Sequence, residues 1–151
     1  MAVNIHLDND GFDCPSEEEI IAWLTPLLIP YQKNASLSIS VIGLEEMRAL
    51  NHQYRQKDKP TNVLSFPCLI PGDIPEGFLG DLVFCAPVIE EEAKTQSKTS
   101  TAHWAHLLIH GTLHLLGYDH ETESEALEME KIEIQTLNQL GFPDPYGEKD
   151  D

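Results

Sequence analysis

Positive charge is what this chain has least of. Nine lysines and arginines stand against 26 aspartates and glutamates in 151 residues, a formal net charge of -17. A surface of that sign repels phosphate backbones and slows their approach, so taken alone it argues against a nucleic-acid ligand. Cysteine is scarce as well: Cys14, Cys68 and Cys85 are odd in number, widely spaced and set beside apolar residues or proline, with no C-x-x-C pair. This spacing argues against a disulfide framework and a thiolate metal site, and leaves reduced structural thiols as the expectation. No apolar run approaches the roughly 18 to 20 residues that span a bilayer. The opening MAVNIHLDND has neither a basic stretch nor an apolar stretch of the kind that addresses a chain for export. A soluble cytoplasmic protein with no membrane partner is expected.

What is present is an ordinary globular composition, 41% hydrophobic and 23% charged, long enough for one domain over residues 1–151 with a frayed tail from 141 to 151. AVNIHLD alternates Val3, Ile5 and Leu7 with polar residues, the period of a half-buried strand. Ser16 and Glu19 form a capping box for a helix carrying Ile20, Trp23, Leu24 and Leu27, and Pro26 is expected to break or kink its end. SLSISVIG alternates again, LEEMRALNHQYR returns to helical spacing, and TNVLSFP and LGDLVFCAP read as two short strands around the turn-rich CLIPGDIPEGF. From Pro87 onward the pattern is helical, ending in a helix whose Leu127, Ile134 and Leu137 are available for packing. The order β-α-β-α-β-β-α-α-α predicts an α+β fold, a small mixed four-stranded sheet covered by about five helices.

The few cations are unevenly spread. Arg48, Arg55, Lys57 and Lys59 fall within RALNHQYRQKDK, where Asp58 is the only acid. The cluster is either a solvated helix end or a patch that faces phosphate. The acids concentrate near the start and from Glu121 onward, where they read as solvated surface.

Histidine is the residue used out of place. HGTLHLLGYDH, residues 110 to 120, sets three imidazoles in one of the most apolar stretches of the chain. On a helix, the residues around it are apolar in nearly every direction except one strip bearing His103, His106, His110 and His114, and a helix of that kind is normally buried. His110 and His114, four residues apart, have Cβ atoms about 5 to 6 Å apart on one face. Gly117 can release the chain through a left-handed turn, and His120 follows three residues later. H-x-x-x-H-x-x-G-x-x-H thus offers three neutral imidazoles and leaves a fourth position open, the ligand logic of a catalytic Zn2+ site. Metzincin proteases share the spacing but place a glutamate general base after the first histidine. Here that position is Gly111, so peptide hydrolysis loses its proton acceptor unless Asp119 or Glu121 replaces it.

These residues resemble the YbeY-type endoribonucleases, ribosomal RNA maturation factors. HGTLHLLGYDH is similar to that family's signature throughout, LNHQYRQKDKPTNVLSFP to its arginine-bearing helix and following strand, and LGDLVFCAP to its next strand. The resemblance runs from about Ile5 to Leu140. It implies an α+β fold, one zinc ion on His110, His114 and His120, hydrolysis of single-stranded RNA in small-subunit maturation and quality control, and Arg55 in the place of the family's functional arginine. Two departures stand out: Asn62 where the family usually writes Asp, and His103 where it more often shows other polar residues.

Under this reading His110, His114 and His120 are catalytic through the metal. Arg55 is a catalytic and phosphate-binding residue, and Lys57 and Lys59 contact neighbouring phosphates. The expected partners are ribosomal RNA and the small ribosomal subunit with its proteins, and no DNA. Asp119 either orients a ligand ring or bonds the turn. His106 either relays a proton or is packed, and Ser65 either bonds the cleft edge or is an ordinary strand residue. Two rivals remain, a zinc hydrolase of peptides or small esters, and a non-catalytic ribosome-associated protein with structural zinc.

Overall fold

A computed structural model of the protein describes residues 2–30, 34–68 and 77–146. Its elements are β1 (Ala2–Asp8), α1 (Glu17–Leu28), β2 (Asn34–Ile42), α2 (Leu44–Arg55), β3 (Val63–Pro67), β4 (Phe78–Cys85), α3 (Ala86–Thr95), α4 (Ser100–Leu115) and α5 (Glu123–Gln139). This is the α+β order that the periodicity predicts. Most of the expected turn-rich loop between β3 and β4, and the last five residues of the tail, lie outside the described residues.

The sheet runs β1-β2-β4-β3. β1, β2 and β4 are parallel, and β3 joins the edge antiparallel to β4. Register shifts between Ser36 and Ser38, which face Phe78 and Asp81 of β4. The extra residue falls beside Gly80, whose φ of +141° and backbone crowding admit no side chain: a Cβ there would meet the Phe66 carbonyl oxygen at 2.3 Å. The bulge leaves Leu79, Leu82 and Phe84 all in the main core, with Leu37, Ile39 and Val41 of β2, Leu24 and Leu28 of α1, and Leu108, Ile109 and Leu113 of α4. Each fully buried side chain of this kind contributes roughly 1.5 to 3 kcal/mol. Ile42, Leu64 and Cys85 form a smaller cluster with Met47 of α2, which covers the other face.

Local signals explain the helix ends. The Ser16–Glu19 capping box forms as expected. Pro26, however, does not break α1: the helix continues to Leu28, and Ile29 N–H still donates to the Thr25 carbonyl at 3.0 Å. A proline in the last turn forfeits one hydrogen bond, and burial of Leu27 and Leu28 outweighs that loss. In α5 the expected packing residue Leu127 is 62% exposed, and Met129 takes the buried place. Where a frayed tail was expected from Gly141, two aromatic residues are anchored: Phe142 packs edge-on against Trp23 with ring centres 5.7 Å apart, and Tyr146 returns to a buried carboxylate.

Candidate metal centre and cleft

α4 ends in a Schellman turn. Gly117 takes φ +104°, its N–H donates to the His114 carbonyl, and Tyr118 N–H donates to the Leu113 carbonyl, each at 3.0 Å. The turn aims the Tyr118 carbonyl back at the helix, where it accepts from Nδ1 of His114 at 3.0 Å. Beyond it a short segment carries His120 and closes on the Thr122–Glu125 capping box of α5. Asp119 bonds within this turn, accepting from His120 N–H at 2.8 Å. Of the two readings of Asp119, the turn is the one with a bond.

The ligand atoms of His110, His114 and His120 all lie within 4.8 Å of one another. Nε2 of His110 and Nε2 of His114 are 3.2 Å apart. Each ring gives its other nitrogen to an acceptor, His110 Nδ1 to Glu133 Oε2 at 2.6 Å and His114 Nδ1 to the Tyr118 carbonyl. Each Nδ1 therefore carries a proton, and when both rings are neutral two lone pairs face each other at Nε2. Facing lone pairs repel unless a cation lies between them. Tetrahedral Zn–N bonds of about 2.0 to 2.1 Å set neighbouring nitrogens about 3.3 Å apart, so the donor set fits. Burial, and the neighbouring rings of His110 and His120, hold the His114 pKa below its usual value, in the neutral form that a ligand needs.

Glu133 is the residue that sequence reasoning missed. It is 0% exposed, and it accepts from His106 Nε2 at 3.0 Å and Tyr146 Oη at 2.5 Å through Oε1, and from His110 through Oε2. Burial pushes its pKa up, but the bonds from His106, His110 and Tyr146 outweigh it and hold the carboxyl at about 2. It is a buried carboxylate orienting a candidate ligand imidazole, and at metal sites that arrangement fixes ring direction and raises ligand basicity. His106, His110 and Glu133 also come close enough to hold an ion, but their facing atoms are already hydrogen-bonded to one another. His106 is thus hydrogen-bonded to the carboxylate and is not part of the cleft lining. A signal for Glu133 was in the sequence: it stands on the buried stripe of α5 at Met129, Glu133, Thr136 and Leu137.

The other buried imidazole has its own acid. His103 Nε2 donates to Glu92 Oε1 at 2.9 Å, and Asn62 Nδ2 donates to both oxygens of Glu92 at 3.1 and 3.3 Å. Both departures from the family pattern therefore meet on one carboxylate. An amide at position 62 can donate to Glu92, where a second carboxylate would repel it. Nδ1 of His103 and Nδ1 of His106 are buried with no partner among the described residues.

A cleft of about 920 Å³ joins the imidazoles to the basic segment; its lining includes Arg55, Lys57, Lys59, Asn62, Ser65, Glu92, His110, His114 and His120. The chain leaves α2 through Gln56 at φ +57°, and buried Asn51 donates to the Lys59 carbonyl at 2.7 Å, which draws the segment along the cleft wall. Asp58 is occupied by a two-pronged bond to Arg48, at 2.8 and 3.1 Å. Among the described residues Arg55, Lys57 and Lys59 make no ion pair. The patch thus keeps three cations directed at one cleft on an otherwise acidic protein. Glu92, Asp119 and Glu121 also line it, so the cationic character is local to one wall.

Gly111 is a packing residue. A Cβ there would lie 2.9 Å from Leu82 Cδ2, so the position that carries a glutamate in metzincins is pressed against the sheet. Ser65 of β3 spans the same contact, with Oγ 3.4 Å from the Gly111 carbonyl.

Fold and site together define a small α+β protein with three convergent imidazoles at one side of a cleft and cationic side chains at another, a donor set that could hold a metal ion beside a wall suited to phosphate. The family pattern described as Endoribonuclease YbeY matches residues 10–141. A curated Endoribonuclease YbeY from Halorhodospira halophila is 49% identical over 142 residues, covering 92% of each chain. The solution structure of TM1509 from Thermotoga maritima superposes with a TM-score of 0.60 at 24% identity, over 97% of this chain and 99% of that one, a likeness of fold. The chain belongs to the YbeY endoribonuclease family. No helix among its described residues is long and apolar enough to cross a membrane.

Proposed function

We propose that the protein is a zinc-dependent, single-strand-specific endoribonuclease of the cytoplasm, acting on ribosomal RNA in 3′-end maturation and quality control of the small subunit. The observation that carries the chemistry is the pairing, across one cleft, of three convergent imidazoles with the cationic segment Arg55–Lys59. His110, His114 and His120 would hold the ion, which when bound supplies a water acidified to a pKa of about 7 and a Lewis acid for a phosphoryl oxygen.

The chain's own residues do the rest. Arg55, charged at every working pH, offers a planar fork of donors to the scissile phosphate. Lys57 and Lys59 hold the phosphates on either side, and by their local field they admit a polyanion that the rest of the surface repels. Glu133 and the Tyr118 carbonyl keep the Nε2 atoms of His110 and His114 turned to the cleft. Single-stranded RNA is the substrate class favoured because family membership and the cationic wall agree on it, and DNA is not an expected partner.

Purified protein incubated with single-stranded RNA, with and without a chelator, tests the reading. Cleavage should require the metal, and Arg55→Glu should abolish it while zinc content stays at one per chain. Normal cleavage by that variant would remove Arg55 from the mechanism. Denatured casein in parallel tests the peptide-hydrolase rival, which the packing of Gly111 disfavours. Unfolding of the whole domain by chelator would instead favour the structural-zinc rival.

A further inference from the structure

We infer that Tyr146 is a positioning residue of the metal site, a phenol from the segment after α5 that acts through Glu133 on the ring of His110. The inference rests on the metal reading above and concerns a residue outside the histidine signature.

The carboxylate of Glu133 is a rigid plane, so the direction of Oε2 is set by whatever holds Oε1. Oε1 takes two donors, His106 Nε2 at 3.0 Å and Tyr146 Oη at 2.5 Å, and Oε2 takes His110 Nδ1 at 2.6 Å. The phenol supplies the shortest of the three bonds, and charge-assisted O–H···O bonds of that length are the strong ones. With it removed, Oε1 would keep a single bond, that of 3.0 Å from His106, and lose its stronger anchor. The carboxylate could then turn about its last side-chain torsion, and the His110 ring would turn with it.

The chain is shaped to deliver this hydroxyl. α5 ends in a second Schellman turn at Gly141, φ +90°, where Gly141 N–H donates to the Asn138 carbonyl at 3.1 Å and Phe142 N–H to the Leu137 carbonyl at 2.9 Å. Phe142 anchors on Trp23. Asp144 Oδ1 then accepts from Tyr146 N–H at 2.8 Å, and the Tyr146 ring stands edge-on to His106, 5.2 Å between centres at 87°. Tyr146 is nevertheless 44% exposed. It borders an opening of about 230 Å³ that shares His110 and His120 with the RNA cleft and is otherwise lined by Ala126, Met129, Glu130, Glu133 and Tyr146. A half-exposed side chain therefore secures a buried carboxylate, and through it a ligand ring.

Tyr146→Phe keeps the ring packed on His106 and deletes the hydroxyl alone. Zinc affinity, read by competition with a chromophoric chelator, should fall about tenfold, the low end of what loss of an outer partner costs a metal site. In a Glu133→Gln background the same change should cost nothing further, because its route to His110 is already altered. A purely structural role would instead lower the urea midpoint of the metal-free protein and leave zinc affinity alone. Wild-type affinity in Tyr146→Phe, or a loss that simply adds to that of Glu133→Gln, overturns the inference. Should Tyr146→Phe fail to fold, Asp144→Ala, which loosens the approach and leaves the phenol in place, should weaken zinc binding in the same direction, and no weakening overturns the inference equally. A wild-type chain that takes up no zinc overturns the metal reading and this inference with it.

Discussion

His106 and His110 stand one turn apart on α4 and donate to the same carboxylate, yet they face opposite fates. His106 gives Nε2 to Glu133, so its Nδ1 is buried and meets no hydrogen-bond partner among the described residues. His110 gives Nδ1 to Glu133, and its Nε2 is turned toward His114 and the cleft. The neighbours repeat the division: His103, nearer the start of the helix, bonds Glu92 through Nε2, whereas His114, nearer its end, bonds the Tyr118 carbonyl through Nδ1. One strip of one helix thus holds two structural imidazoles and two metal-ready ones. What separates them is the ring nitrogen that the surroundings engage. An acceptor at Nδ1 leaves the outer nitrogen free for an ion, and an acceptor at Nε2 consumes it.

The sharpest way to break this comparison is to remove one ring from each half. His114→Ala should abolish stoichiometric zinc binding and with it RNA cleavage, an effect larger than the about 10- to 100-fold typical of outer partners. His103→Ala should leave zinc affinity unchanged and destabilise the fold by roughly 1 to 3 kcal/mol, because Glu92 loses a buried donor. Metal titration and urea unfolding of both variants check the pair. If His103→Ala loses zinc as well, the division between the halves is wrong.

Glu133 belongs to both halves and so should affect both readouts. Glu133→Ala strands the donors of His106, His110 and Tyr146, and the metal-free protein should lose about 3 to 5 kcal/mol, with weaker zinc binding in whatever remains folded. A variant with unchanged unfolding midpoint would show that the carboxylate is not the joint between the two networks.

A smaller effect is expected from pH. Burial lowers the His103 pKa, against the opposing pull of its bond to Glu92. The folded protein therefore accepts that proton only at a pH below the ordinary value of about 6.5 at which the unfolded chain accepts it. The stabilisation is complete above about pH 6.5 and is lost as pH falls from there through the folded value. In the metal-free protein, the drop in urea midpoint between pH 7.5 and 5.5 should be shallower in His103→Gln than in wild type. An equal drop would assign the acid sensitivity to other groups.

The smallest effect concerns the cationic wall. Lys57→Ala should weaken binding of single-stranded RNA modestly and reduce the salt dependence of log K by about 0.7, the share of one phosphate contact. An unchanged slope would place Lys57 outside the RNA path and leave Arg55 and Lys59 to carry it.

Much of this was legible beforehand. Alternation at Leu37, Ile39 and Val41, the Ser16 capping box and the glycine after His114 are local signals, and local geometry obeyed them. Glu133, Glu92 and Tyr146 were not legible, and each for a reason. Glu133 and Glu92 lie among surface acids that look alike in sequence, although Glu133 falls on the buried stripe of its helix. Tyr146 follows a proline-rich stretch that composition marks as tail. Leu127 misled in the opposite sense, since an apolar residue near a helix start is buried only if something packs on it.

The sequence by itself determined the spacing: 3.6 residues per turn puts His103, His106, His110 and His114 on one strip, and Gly117 lets the chain bend to bring His120 alongside. Only the tertiary structure decided which rings would turn an unengaged nitrogen toward the cleft. The acceptors that orient His106 and His110 come from a helix 27 and 23 residues further along, and helical periodicity fixes where a Cβ lies without fixing which nitrogen of the ring above it finds a partner.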